Sequence, residues 1–286
     1  MSAINTLLDR FIDSAPALPP APRILPELLT LLCEDDTDAE RVVTLIQFDP
    51  ALTASVLRLS NSVTLGGAEP VEDLSVALSS LGFNQTYRLV ARAVGEGTMK
   101  SAQRGYHIAE GELWRHAAVS AVAGQVLARE LGQNENLAFT AALLHDIGKL
   151  LLSTAVESTY ADVMRLIEES GQSFLEAEKA TLGVDHAEVG GRLLERWGFP
   201  QNLVQAVRHH HDPLQAGPHQ ALAAGVHLSD VLAHLLGHGY GHHAYAVRTK
   251  PEALDLLKLK PGNIEDLLLE TQNALSDLQI LNPHQP

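Results

Sequence analysis

The run Asn136 to Ser153, NLAFTAALLHDIGKLLLS, sets an imidazole, a carboxylate and an ammonium within five residues of one another inside an alanine- and leucine-rich stretch. A segment this apolar goes to the interior of a fold, and His145, Asp146 and Lys149 must go with it. Burying such groups is costly unless each finds a partner or a metal. The chain therefore has to bring other polar side chains to this run from elsewhere, and that demand constrains the fold more than any other feature of the sequence.

The rest of the chain reads as helical. Leu and Ala dominate its 286 residues, aromatics are 5%, and no stretch alternates with period two for long, so an all-α, soluble globular fold is expected. The formal charge of −15 opposes attraction to nucleic acid or anionic lipid, and no basic cluster reverses it locally. Cys33 is the single cysteine, which excludes an intrachain disulfide and a cysteine-based zinc site and fits the cytoplasm. Asp9, Arg10 and Asp13 interrupt the apolar repeat at the N-terminus, so it is not a signal peptide. No run is read as reaching the roughly 18 apolar residues of a membrane span. Eleven of the fourteen histidines lie between His186 and His284, the first compositional hint of a metal.

Taken in order, residues 1–14 are an amphipathic helix, and the prolines from Pro16 to Pro22 impose extended backbone. Short helices follow over Leu25 to Leu32, from a Thr37/Glu40 capping box to Phe48, from Pro50 through Ser62, over Leu74 to Leu81, and from Phe83 to about Thr98. A polar link at Ser101 to Tyr106 divides an N-terminal helical subdomain, 1–103, from a second helical subdomain, 104–286. There the expected helices are Gly111 to Leu131, Asn136 to Leu152, Thr159 to Glu169, Ser173 to Thr181, a helix capped by Asp185, Gln201 to His211, His219 to Leu236, Pro251 to Leu257 and Ile264 to Leu278.

Four short motifs of the first half, Leu18-Pro19-Pro20, Asp49-Pro50-Ala51-Leu52, Leu57-Arg58-Leu59-Ser60-Asn61-Ser62 and Ala77-Leu78-Ser79-Ser80-Leu81-Gly82, stand in the order and spacing of the HDOD family, the HD-related output domain of bacterial signalling proteins. The chain resembles that family from about Leu18 to about Leu257.

A metal site built on helices needs ligands from several elements, because one helix presents a narrow face. The second half offers five. Glu112 and His116 are four apart on one helix; His145 and Asp146 are adjacent; His186 opens a capped helix with Gly190 leaving room beside it; His209, His210 and His211 end another; and Asp230 interrupts an apolar helix. Imidazole mixed with carboxylate suits Fe, Mn, Zn or Ni better than Ca, and a carboxylate shared between two such ions gives a centre suited to phosphoester hydrolysis. Lys149, one helical turn after His145, would stabilise charge developing on phosphate. The bland reading is that each histidine is a hydrogen-bonded core residue; joint occurrence of the set argues for a metal. His234, His238, His242 and His243 could bind a second ion but read rather as an exposed Gly/His loop, and Asn61 with Ser62 as a turn or cap.

His145-Asp146-Ile147-Gly148-Lys149 also matches the defining motif of the HD metal-dependent phosphohydrolase superfamily and looks like its HD-GYP branch, which degrades cyclic di-GMP. The resemblance implies metal ligands at Glu112, His116, His145, Asp146, His186, His210, His211 and Asp230, with Asp146 bridging one or two ions and with Lys149 and Asp146 as the catalytic pair. After His211 the chain departs from HD-GYP enzymes: it reads Asp212-Pro213-Leu214 where they carry a Gly-Tyr-Pro run. The expectation is a signalling output module with a largely intact mono- or dinuclear metal site and a protein partner; the alternatives are a phosphohydrolase acting on a phosphoester small molecule and a di-iron oxidative enzyme. Neither nucleic acid nor a membrane is an expected partner.

Overall fold

The computed structural model describes residues 3–14, 24–32, 39–47, 50–63, 71, 73–170, 172–240 and 250–277. Among them every regular element is helical, and the single extended pairing is an isolated antiparallel bridge between Gln103 and Ile108. The all-α expectation holds. Two compact units are present, one of residues 19–97 and one of residues 1–18 with 98–286.

In the first unit, α2 (Ile24–Leu32), α3 (Ala39–Gln47), α4 (Pro50–Val63), α5 (Leu74–Leu81) and the greater part of α6 (Phe83–Met99) bury Leu28, Leu29, Ile46, Val56, Ala77, Leu78 and Val90. Asp73 caps α5 by accepting the amides of Ser75 and Val76 at 2.8 and 3.0 Å. Asn61, near the end of α4, binds the backbone of Val71 twice, donating Nδ2 to its carbonyl at 3.0 Å and accepting its amide at 2.6 Å. Thr37 of the expected capping box lies outside the described residues.

The second unit comprises α1 (Ala3–Ser14), a 3-10 turn (Arg104–Tyr106), α7 (Glu112–Glu130), α8 (Glu135–Leu144), α9 (Gly148–Ser170), α10 (Phe174–Leu182), α11 (His186–Arg196), α12 (Gln201–Arg208), a 3-10 segment (Pro213–His219), α13 (Gln220–Ala233), a π turn (His234–His238), α14 (Pro251–Leu257) and α15 (Asn263–Asp277). Helix α1 packs on α9 and α11, and it meets α11 through Asp9 to Arg192 at 3.1 Å and Asp13 to Arg196 at 2.6 Å. Helix α7 is buried on nearly all sides and packs on α8, α13 and α15. One core joins Ala123, Val126 and Leu127 of α7 to Leu228, Val231 and Leu232 of α13 and to Ala253, Leu257 and Leu267 beyond.

Three expectations change here. The run Asn136 to Leu152 is not one helix: α8 stops at Leu144, and 145–147 form a tight turn closed by Ile147 N to Leu144 O at 3.1 Å and Lys149 N to Asp146 O at 3.0 Å. A Cβ on Gly148 would meet the His186 carbonyl oxygen at 1.9 Å and the Gly190 amide nitrogen at 2.7 Å, so α9 begins directly against the backbone of α11. Likewise α12 ends at Arg208, and His210 and His211 occupy the turn after it. Finally, Glu135–Ser170 reaches a mean hydropathy of 1.3 over an 18-residue window, long and apolar enough by composition to cross a membrane, but 83% of that window is buried inside the fold and the segment contains the turn.

Candidate metal centre

Four histidines reach one place from four elements, and each has its Nδ1 engaged at a short distance. His145, at the end of α8, is tied to Ala142 O of the preceding turn at 2.7 Å. His210 repeats the device on Val207 O at 2.7 Å. His116, buried on α7, is tied to His238 O at 3.0 Å, a carbonyl delivered by the π turn. His186, the first residue of α11, is tied to Glu178 Oε2 at 2.7 Å. A carbonyl or carboxylate only accepts, so each Nδ1 carries the proton and each Nε2 offers a lone pair.

Those Nε2 atoms converge on two aspartates. His116 Nε2 lies 3.1 Å from Asp230 Oδ1, and His145 Nε2 lies 3.3 Å from Asp146 Oδ2 and 3.8 Å from Asp230 Oδ1. His186 Nε2 is 3.3 Å from Asp146 Oδ1 and 2.9 Å from His211 Nε2, while the His116 and His145 Nε2 atoms are 3.4 Å apart. Metal–nitrogen bonds of about 2.1 Å give ligand–ligand edges of about 3.0 Å in an octahedron and about 3.4 Å in a tetrahedron. The observed separations fall at or near these edges. Three groups of donors could each hold an ion: His186, His210 and His211; His116, His145 and Asp230; His145, Asp146 and His210.

Two lone pairs facing each other, as in His116 and His145, repel unless something positive lies between them. A proton can do this once: Asp146 raises His145 above the usual imidazole value against the effect of burial. One proton still leaves buried His210 Nε2 and Asp146 Oδ1 without a hydrogen bond. A cation engages them all, so the residues fit a metal.

The electrostatics agree. Burial, reinforced by the neighbouring imidazoles, pushes His210 and His211 well below the usual range, and burial lowers His116 against the pull of Asp230. Burial opposes ionisation of Asp146, but His145 and Lys149 hold it well below the ordinary carboxylate value; His116 and His234 do the same for Asp230. At neutral pH the place offers two carboxylates and at least three neutral imidazoles.

Lys149 faces the centre from the first turn of α9, with Nζ donating to Asp146 Oδ2 at 2.8 Å and to Tyr240 Oη at 2.7 Å. Glu112 is not brought into these groups. Its Oε2 accepts the Ala109 amide at 2.8 Å at the start of α7. His209 also stays outside them. The fold adds three residues that the sequence pattern does not single out and corrects a fourth. Tyr240 meets Lys149 and stands edge-on to His116, and Glu178 with Tyr106 backs His186. His234, expected in an exposed Gly/His loop, instead turns a side chain only 8% exposed to Asp230, with Nδ1 3.0 Å from Oδ1, while His242 and His243 lie outside the described residues. Glu178 looks like any polar residue of an amphipathic helix, and Tyr240 like part of a loop; only their burial separates them from such residues.

A family model described as HDOD domain matches residues 18–213. An uncharacterized protein of Treponema pallidum (strain Nichols) is 26% identical over 209 residues, 72% of this chain, and the chain spans only 39% of that relative's length. Among solved structures, a Shewanella amazonensis SB2B protein named "Putative phosphohydrolase" superposes with a TM-score of 0.67 at 25% identity over 93% of each chain. A Geobacter sulfurreducens HDOD domain protein of unknown function gives a TM-score of 0.65 at 24% identity, over 96% of this chain and 95% of that one, a likeness of fold.

Proposed function

This chain belongs to the HDOD family, and from that premise we propose that it is a cytoplasmic signal-transduction output module, acting on a protein partner, whose 98–286 unit carries an HD-type centre for two divalent transition metals. His116, His145 and Asp230 would hold one ion, and His186, His210 and His211 the other. Asp146 would be shared, since Oδ2 is turned toward His145 and Oδ1 toward His186. The donor set suits Fe, Mn, Zn or Ni. The observation that carries this reading is the convergence of Nε2 lone pairs on two buried carboxylates, with His210 Nε2 and Asp146 Oδ1 otherwise unbonded.

A second reading, a metal-dependent phosphohydrolase, is favoured by Lys149, whose ammonium is held at the centre by Asp146 and Tyr240, and by the name of the Shewanella relative. Bound there, the ions would supply Lewis acidity toward a phosphoester oxygen. Lys149 would contribute a buried positive charge to the same oxygens, and the apolar walls of α8 and α13 would keep water scarce and electrostatic interactions strong.

Elemental analysis of protein purified without chelators, beside Asp146→Ala, tests the metal. Bound metal in the wild type and its loss in the variant are expected; metal in neither ends the proposal. Loaded protein that releases nothing from a panel of nucleotide and cyclic dinucleotide phosphoesters supports the signalling reading, and turnover abolished by Lys149→Met supports the hydrolase.

A further inference from the structure

Glu178 is fully buried on α10, and the groups bonded to it are all donors. Tyr106 donates its hydroxyl to Oε1. The His186 amide and the His186 Nδ1–H both donate to Oε2, at 2.9 and 2.7 Å. Among the described residues no lysine or arginine forms an ion pair with this carboxylate, so the fold buries it without a permanent cation beside it. That is an expensive arrangement for a residue needed only to cap a helix. Capping is also already supplied, since Asp185 accepts the Glu188 amide at 2.8 Å at the start of the same helix.

What the arrangement does achieve is orientation. Holding Nδ1–H fixes the tautomer of His186 and the rotation of its ring, and this aims Nε2 at Asp146 Oδ1 and at His211 Nε2, 3.3 and 2.9 Å away. A carboxylate behind a ligating imidazole also makes the imidazole a stronger donor. Tyr106 in turn is wedged in place. Its neighbour Gly105 lies so close to α9 that a Cβ there would meet the Ser153 carbonyl oxygen at 1.9 Å, and its ring rests 5.5 Å from that of Phe174.

We propose that Glu178 is a positioning residue of the metal centre, which aims His186 at the ion it shares with His210 and His211, and that Tyr106 holds Glu178 in register. The inference rests on the two-ion reading above. It makes the two halves of the centre unequal, because the Nδ1 of His116, at the other half, is held by a backbone carbonyl and that of His186 by a charged group.

The test uses the full chain, freed of metal and titrated with Co2+, following visible absorption and binding stoichiometry, for wild type, Glu178→Gln and Tyr106→Phe. Thermal unfolding of each metal-free protein is recorded alongside. Glu178→Gln is expected to weaken one of two Co2+ equivalents by about 10–100-fold and to leave the other unchanged. Tyr106→Phe, which keeps the ring and its packing, is expected to weaken the same equivalent less, and it decides the matter if Glu178→Gln does not fold. Wild-type affinity for both equivalents in the variants overturns the inference, as does equal weakening of both. A wild type that takes up no Co2+ refutes the two-ion reading itself, before any variant is compared.

Discussion

Gly148→Ala is the smallest change that tests how the fold places the centre. The added Cβ would sit 1.9 Å from His186 O and 2.7 Å from Gly190 N, both backbone atoms, so no side-chain rotation relieves it. Reaching an ordinary contact of about 3.4 Å requires α9 and α11 to part by about 1.5 Å. Overpacking of this kind costs about 1–3 kcal/mol, and a backbone clash belongs at or above the upper end. For a chain of this size about 3 kcal/mol corresponds to a Tm lower by about 6–12 °C. The same displacement carries His186, the first residue of α11, away from Asp146, whereas ligand distances tolerate only about 0.2 Å. Differential scanning calorimetry and metal stoichiometry on the same preparations read both effects. Gly97→Ala is the control, because a Cβ there meets nothing within 4 Å; in a helix it is expected to stabilise by about 0.5–1 kcal/mol. A Gly148→Ala protein with unchanged Tm and a full complement of metal would refute the close packing of α9 on α11 at Gly148.

Lys149→Met separates charge compensation from ligation. Without metal it leaves Asp146 buried beside no permanent cation, a loss of about 3–5 kcal/mol in chemical denaturation. Saturating Zn2+ is expected to restore much of this, and Zn2+ affinity should not fall, since Lys149 competes with the ion for Asp146. Asn61→Ala removes two bonds to Val71 and is expected to cost about 1–3 kcal/mol, seen as faster proteolysis within residues 19–97 while metal content stays unchanged. Asp9→Asn, at a half-exposed pair with Arg192, should change stability by less than about 1 kcal/mol, measured by urea denaturation at low and high salt.

How much of the candidate centre can be read from sequence follows from how each of its side chains is held. His145 and His210 are pinned through Nδ1 by the carbonyl three residues earlier, Ala142 and Val207. Such bonds are local, so a histidine just past an apolar helix, beside a second polar residue, already announces the geometry. The helices are legible for the same reason. The tight turn at 145–147 is not: α9 starts after it against the backbone of His186 and Gly190, some 40 residues away. Periodicity alone carries one helix through it.

His116 and His186 belong to the second kind. Their Nδ1 partners, His238 O and Glu178, lie 122 and 8 residues away, one delivered by a π turn and the other by a separate helix. Nothing local marks either partner, and Glu178, Tyr106 and Tyr240 were passed over accordingly. Glu112 fails in the opposite sense. It shares a helix face with His116 by spacing, but it stands in the first turn of α7, where free backbone donors compete for a carboxylate, and the Ala109 amide takes it. Spacing therefore brings candidate residues together where local bonds aim them, and it misleads at Glu112, where a free backbone donor takes the carboxylate. Where the aim comes from distant chain, as at His186, the groups that set it have to be found by asking which buried carboxylate has only donors around it.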